Sequence, residues 1–182
     1  MTNSLLLVDD EALVLMALKR ALYEEDLEIV TASSGEQALA LMKERPFKVV
    51  ISDERMPGMQ GSELLTHIRE LYPSTVRMML TGHATLEAAM HAVNDGETYR
   101  FFSKPWNDQE LIFSIRAAIE KFDLEAENKR LLAVIQSQAM ELKNLEEKYP
   151  GIASIQRNSD GAFLLPELSE DERKKLLDEC DQ

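Results

Sequence analysis

Apolar residues follow two rhythms over the first 122 residues. Short runs at 4–8 (SLLLV), 27–31 (LEIVT), 47–52 (FKVVIS), 75–80 (TVRMML) and 99–103 (YRFFS) have the length of strands and place apolar residues side by side. Between them, residues 11–23, 35–44, 62–71 and 85–94 repeat apolar side chains every three or four positions, the stripe of an amphipathic helix. A fifth helical pattern begins near Asn107. Strands that are apolar on both faces suit a parallel sheet covered by helices on each side, and the intervening helices supply the crossovers such a sheet requires. The expected fold is an open, doubly wound α/β sheet of five parallel strands.

The rhythm changes after residue 107. Asn107 and Asp108 are candidate caps, and neither Pro nor Gly recurs until Pro150-Gly151, so residues 108–149 are expected to form one helix about 63 Å long at roughly 1.5 Å per residue. Leu111, Ile115, Ile119 and Phe122 would pack on the sheet. Leu124, Asn128, Leu131, Ile135, Gln138, Leu142, Leu145 and Tyr149 then alternate steps of four and three, the seam spacing of a coiled coil with two amides in it. Polar seam positions fix register, so the segment predicts a parallel homodimer through 124–149; folding back on the α/β domain or on the tail is the plainer alternative. Further on, IASIQR and AFLL flank NSDG, a hairpin signal, and Ser169 with Glu172 forms a capping box for a helix over 169–180. The expected division is 1–122 for the α/β domain, 123–149 for the helical extension and 150–182 for a small hairpin and helix, too short for a core of its own.

In a doubly wound sheet, chemistry gathers where the loops leave the carboxyl ends of the strands. Those ends carry Asp9 and Asp10, Asp53, Thr81 and Lys104. Each has a bland explanation: Asp9 and Asp10 as helix caps, Asp53 and Thr81 as turn residues, Lys104 as a solvated loop charge. All five falling on one edge of one sheet is harder to explain that way. Three clustered carboxylates repel one another, which implies a bound cation or a raised pKa. Oxygen donors without a nearby His or Cys cluster favour Mg2+ (or Mn2+), which takes one or two carboxylates plus a phosphate oxygen.

Composition narrows the partners. Thirty-three acidic against twenty basic residues give a formal net charge of -13, which opposes nucleic acid and anionic membranes; the basic run Arg173-Lys174-Lys175 sits among acids. A DNA-binding regulator is therefore an unattractive reading. No apolar run approaches membrane-spanning length, and the lone Cys180 has no partner for a disulfide or zinc site, so a cytoplasmic, reducing setting is expected. His67, His83 and His91 have no ligand-like spacing with nearby acids.

The pieces LLLVDD at 5–10, VVISDERMPGMQG at 49–61, MMLTGHA at 78–84 and FFSKPW at 101–106 resemble the response-regulator receiver domains of two-component signalling, a flavodoxin-like fold, over about two thirds of the chain. The resemblance implies that Asp53 is a phosphoacceptor for a sensor histidine kinase. It also implies that Asp10, with Asp9 acting directly or through water, holds Mg2+ along with the Asp53 carboxylate and the backbone carbonyl of Arg55. Lys104 would pair with the phosphoryl group, Thr81 would donate its hydroxyl to it, and Phe101 would be the aromatic partner of the Thr81 switch. Lacking a hydroxyl, Phe101 is expected to be buried.

The stretch NDGETYRFFSKPW at 94–106 is similar to receivers that precede HD-GYP-type outputs, but no such output follows and no phosphodiesterase activity is carried over. Haloacid-dehalogenase-like hydrolases also use an aspartyl phosphate, but they need a second Asp where this chain has Arg55. The expected function is thus a non-enzymatic, Mg2+-dependent response regulator acting through association with an unknown downstream protein. A constitutive dimeric scaffold that no longer uses phosphate is the alternative.

Overall fold

The computed structural model describes residues 3–82, 99–149, 156–157 and 163–164. The expected helix over 85–94, His83, His91, the NSDG turn and the helix over 169–180 lie outside the described residues. Five strands, β1 Ser4–Val8, β2 Glu28–Ala32, β3 Val49–Asp53, β4 Val76–Thr81 and β5 Arg100–Ser103, form one sheet. Its order is β2-β1-β3-β4-β5 and every pairing is parallel, as expected of the doubly wound class. The helices are α1 Ala12–Ala21, α2 Gly35–Glu44, α3 Gly61–Leu71 and α4 Asp108–Lys148. By contacts the chain divides into two compact units, Met1–Asn128 and Lys129–Gln182.

The period of two along each strand sorts the core into two layers. Leu5, Leu7, Val49, Ile51, Met78 and Leu80 pack with Leu18 and Leu22 at α1 and with Leu111, Ile115, Ala118 and Ile119 of α4. Leu6, Val8, Val50 and Met79 face the other way, onto Ala38 and Met42 of α2 and Leu64, Leu65 and Ile68 of α3. The expected docking of the first part of the long helix is therefore observed, with Phe122 partly buried against the first layer. Burial on both faces holds for β1 and β3. It fails at the edges, where Ala32 is the buried residue of β2 and Phe102 that of β5; an edge strand has a neighbour on one side alone.

Three boundaries differ from the sequence reading in a way that matters. β3 and β4 run one residue further, so Asp53 and Thr81 are the last residues of their strands and are held by the ladder rather than by loops. α1 is shorter than 11–23 and starts at Ala12, with Glu11 at the cap position, so neither Asp9 nor Asp10 is its cap residue. Phe101, expected to be buried, is partly buried against the second layer, and Phe102 is buried in the first. Adjacent residues of a strand face opposite sides, so the two rings enter different layers, and at a sheet edge the cover over one of them is incomplete.

In the remaining segments, Leu124, Leu131, Ile135, Leu142, Leu145 and Tyr149 of the seam are all exposed. Beyond α4, β6 Gln156–Arg157 and β7 Phe163–Leu164 pair antiparallel.

The loop after β3 turns on two glycines. Gly58 adopts φ 79°, a left-handed conformation that L side chains rarely take. Gly61 opens α3 against the backbone of β3: a Cβ there would lie 2.1 Å from the Asp53 carbonyl oxygen. Gly61→Ala is therefore expected to lower stability by about 2 kcal/mol, the usual scale for an overpacked site that must push backbone aside. A urea titration checks this, and an unchanged midpoint would contradict the tight approach.

Candidate functional site

Five strands pointing the same way bring their carboxyl ends to one edge, and that edge gathers most of the residues singled out from the sequence. Asp9 follows β1 and is 1% exposed; Asp53 ends β3 at 6% and Thr81 ends β4 at 5%. Lys104 follows β5, where its N–H donates to the Thr81 carbonyl at 2.9 Å and its bond to Pro105 is cis. From there Nζ reaches across the sheet to Asp9 Oδ2 at 2.8 Å and to Asp53 Oδ1 at 2.6 Å.

The remaining carboxylate oxygens are held by backbone. Arg55 N–H donates to Asp53 Oδ2 at 2.7 Å, and Glu11 N–H donates to Asp9 Oδ1 at 2.9 Å. Asp9, Asp53, Lys104 and Arg55 are thus one hydrogen-bonded cluster, joined by Thr81 through its main chain. Asp10 is exposed, so the expected three-carboxylate cluster is two buried carboxylates sharing one ammonium, with the third in solvent. Adjacent residues leave a strand in opposite directions, and only one of Asp9 and Asp10 can turn inward. Among the described residues, no three His, Cys, Asp or Glu side chains converge as a metal-binding group.

Burial is the leading influence on Asp9 and raises its pKa above the ordinary 3.8; the bonds from Lys104 and Glu11 pull the other way, and the Asp53 charge adds to the rise. Burial by itself would lower the pKa of Lys104, but hydrogen bonds to Asp53 and Asp9 outweigh it and hold the ammonium above its ordinary 10.5. The Lys104 contribution to stability is therefore complete below pH 10.5 and is lost as pH rises through the folded value.

Asp9 has the opposite sense. A carboxylate with a raised folded pKa costs stability when ionised, and the cost disappears as pH falls through that value toward 3.8. Asp9→Asn, which keeps an acceptor for the Glu11 N–H, is expected to unfold in EDTA at pH 7 no lower than the native protein, with a gain of up to about 1 kcal/mol that shrinks on acidification. Calorimetry across pH tests this, and a loss of about 2 kcal/mol or more would contradict it.

Two carboxylates against one ammonium leave the cluster with an excess negative charge, and every donor in it other than Lys104 and the N–H groups is a hard oxygen. That donor set fits Mg2+, with Asp9, Asp53 and the Arg55 carbonyl as candidates. It also suits a second anion less well unless a cation accompanies it.

Two supporting residues were not singled out from sequence. Glu54 accepts from Ser62 N–H at 2.9 Å and Ser62 Oγ–H at 3.1 Å, satisfying the start of α3 where Gln60 gives no side-chain cap. An acid eight residues before a serine carries no recognised signal. Lys48 is a buried lysine at the foot of β3; a cation inside an apolar run was the available sign.

Residues 5–116 match the family described as the response regulator receiver domain. The hydrogenase transcriptional regulatory protein HoxA of Cupriavidus necator is 37% identical over 128 residues, 70% of this chain and 26% of HoxA. The chain spans about a quarter of the length of that curated relative. Among solved structures, adenylate cyclase from Rhodopirellula baltica is 40% identical with a TM-score of 0.68, covering 73% of this chain and 98% of that one. The signal receiver domain of an HD domain-containing protein from Pseudomonas fluorescens Pf-5 is also 40% identical, with a TM-score of 0.65 and coverage of 69% and 93%.

Proposed function

Because the chain belongs to the response regulator receiver family of two-component systems, whose members accept phosphoryl groups from sensor histidine kinases, we propose that Asp53 is its phosphoacceptor. The observation that carries this reading is the sharing of Lys104 Nζ between Asp53 Oδ1 and Asp9 Oδ2, with the other Asp53 oxygen on the Arg55 N–H. In transfer, a carboxylate oxygen of Asp53 bonds to phosphorus as the bond from phosphorus to the donor's imidazole nitrogen breaks. Lys104 then follows the phosphoryl oxygens as a compact point charge. Thr81, beside it, supplies a hydroxyl to the same group, and Phe101, on the strand paired with β4, answers movement of Thr81.

Asp9, Asp53 and the Arg55 carbonyl would hold Mg2+ (or Mn2+), with Asp10 acting through water. When bound, the ion neutralises charge on the phosphoryl oxygens. No output chemistry of its own is assigned to this chain; it acts as a phosphoacceptor in the cytoplasm, and its excess of acidic residues disfavours direct contact with nucleic acid.

Output is read as association. The exposed seam from Leu124 to Tyr149 seats a second copy in parallel, where Asn128 meets Asn128 and Gln138 meets Gln138, leaving no amide opposed to an apolar residue. Residues 1–122, 123–149 and 150–182 serve as receiver, coupling helix and tail, and the pair presents a surface to a downstream protein. Sedimentation of the full chain with and without Mg2+ and beryllofluoride tests the reading. A change in dimer content that needs both reagents and is lost in Ile135→Lys supports it. A fixed dimer indifferent to both favours the constitutive scaffold.

A further inference from the structure

A lysine at the head of an apolar strand needs a partner, and Lys48 has two. Its side chain is 6% exposed, and Nζ donates to Asp123 Oδ2 at 2.7 Å and to Asn3 Oδ1 at 3.0 Å. The backbone there is fixed from both sides, since the Lys48 N–H donates to the Ser4 carbonyl at 3.1 Å and its carbonyl accepts from Val76 N–H at 2.9 Å. The ammonium therefore extends from a rigid point in the middle of the sheet. Its position is the end of β3 opposite to Asp53.

Asp123 lies where the apolar stripe of α4 leaves the core. Leu111, Ile115 and Ile119 are buried, Phe122 is partly so, and Leu124 is 59% exposed. Two turns earlier, Arg116 makes two 2.8 Å hydrogen bonds to Glu25. The Arg116 side chain is 61% exposed, however, and a pair of that kind contributes little. The Lys48 pair differs because one partner cannot fall back on water.

We propose that the Lys48 ammonium is a positioning group that fastens the outgoing helix α4 to the foot of the strand carrying Asp53, and so sets how firmly residues 116–127 stay docked. The two halves of the pair are unequal. Removing Lys48 frees Asp123, already 53% exposed, into solvent; removing the Asp123 charge strands a buried ammonium. The joint is thus cut cleanly from the Lys48 side. Any use of it in signalling rests on the proposed role of Asp53, so the test is made on the unmodified full chain and stands apart from that role.

Amide exchange read by mass spectrometry on Lys48→Met, Asp123→Asn and the double variant provides the test. In Lys48→Met, peptides covering 116–127 are expected to exchange at least tenfold faster while those of β1 and β3 stay as in the native protein. Asp123→Asn speeds the same peptides and also lowers the melting temperature; the double variant recovers that temperature and exchanges like Lys48→Met, because no ammonium is left stranded. Exchange over 116–127 within twofold of native in Lys48→Met would overturn the proposal. So would effects of the two substitutions that simply add.

Discussion

Asp53→Asn is expected to fold like the native protein and to take up no phosphoryl group from an acyl phosphate in Mg2+, as read by intact mass. The substitution keeps the shape of the side chain and an oxygen for the Arg55 N–H, now 2.7 Å from Oδ2, while removing one of the two carboxylates that crowd Lys104. Its effect on stability is therefore small. Its effect on the chemistry is complete, because an amide oxygen is not a nucleophile that leaves a stable phosphoryl anhydride. An adduct that persists in Asp53→Asn would move the acceptor elsewhere.

Lys104→Met is the change with the largest expected cost to the fold. Asp9 and Asp53 are 1% and 7% exposed at the side chain, and Lys104 Nζ is the cation between them. Taking one partner from a buried ion pair leaves uncompensated charge, a loss of about 3 kcal/mol or more at neutral pH. The deficit has a direction in pH. With the ammonium gone, the charge on Asp9, already disfavoured by burial, is disfavoured further in the folded chain, so the deficit shrinks as pH falls from 7 toward 5. Added Mg2+ is expected to shrink it as well, by replacing the missing positive charge. Urea titrations in EDTA and in Mg2+ at the two pH values test both. A deficit of the same size in all four conditions would show that Lys104 matters for packing and not for charge.

The legibility of this chain in its sequence was uneven for physical reasons. β1 and β3 stand out because both of their faces are covered, so every position but Asp53 is apolar or small. The edge strands are weaker signals, and in YRFFS the two adjacent phenylalanines face opposite layers, Phe102 buried in the first and Phe101 partly buried against the second. The site was legible for a topological reason. Lys104 and Asp9 are 95 residues apart, and nothing local connects them; the rule that parallel strands deliver their carboxyl ends to one edge does.

That rule places residues at an edge without saying which way they turn. The resemblance put Asp10 first, with Asp9 acting directly or through water, whereas the structure buries Asp9 and leaves Asp10 exposed. The Lys48 joint was out of reach, because Asp123 lies 75 residues away on an element whose docking ends at that point. A buried cation announces that a partner exists, but its identity depends on packing that spans the whole domain.

The most direct test of the proposed chemistry is to locate the phosphoryl group in the native chain. After treatment with an acyl phosphate, borohydride reduces an aspartyl phosphate to homoserine, and peptide mass spectrometry then reads the altered residue. The expected result is conversion at Asp53 alone, in Mg2+ and not in EDTA. Conversion at another residue, or the same conversion in EDTA, would contradict the assignment of Asp53 as the metal-dependent phosphoacceptor.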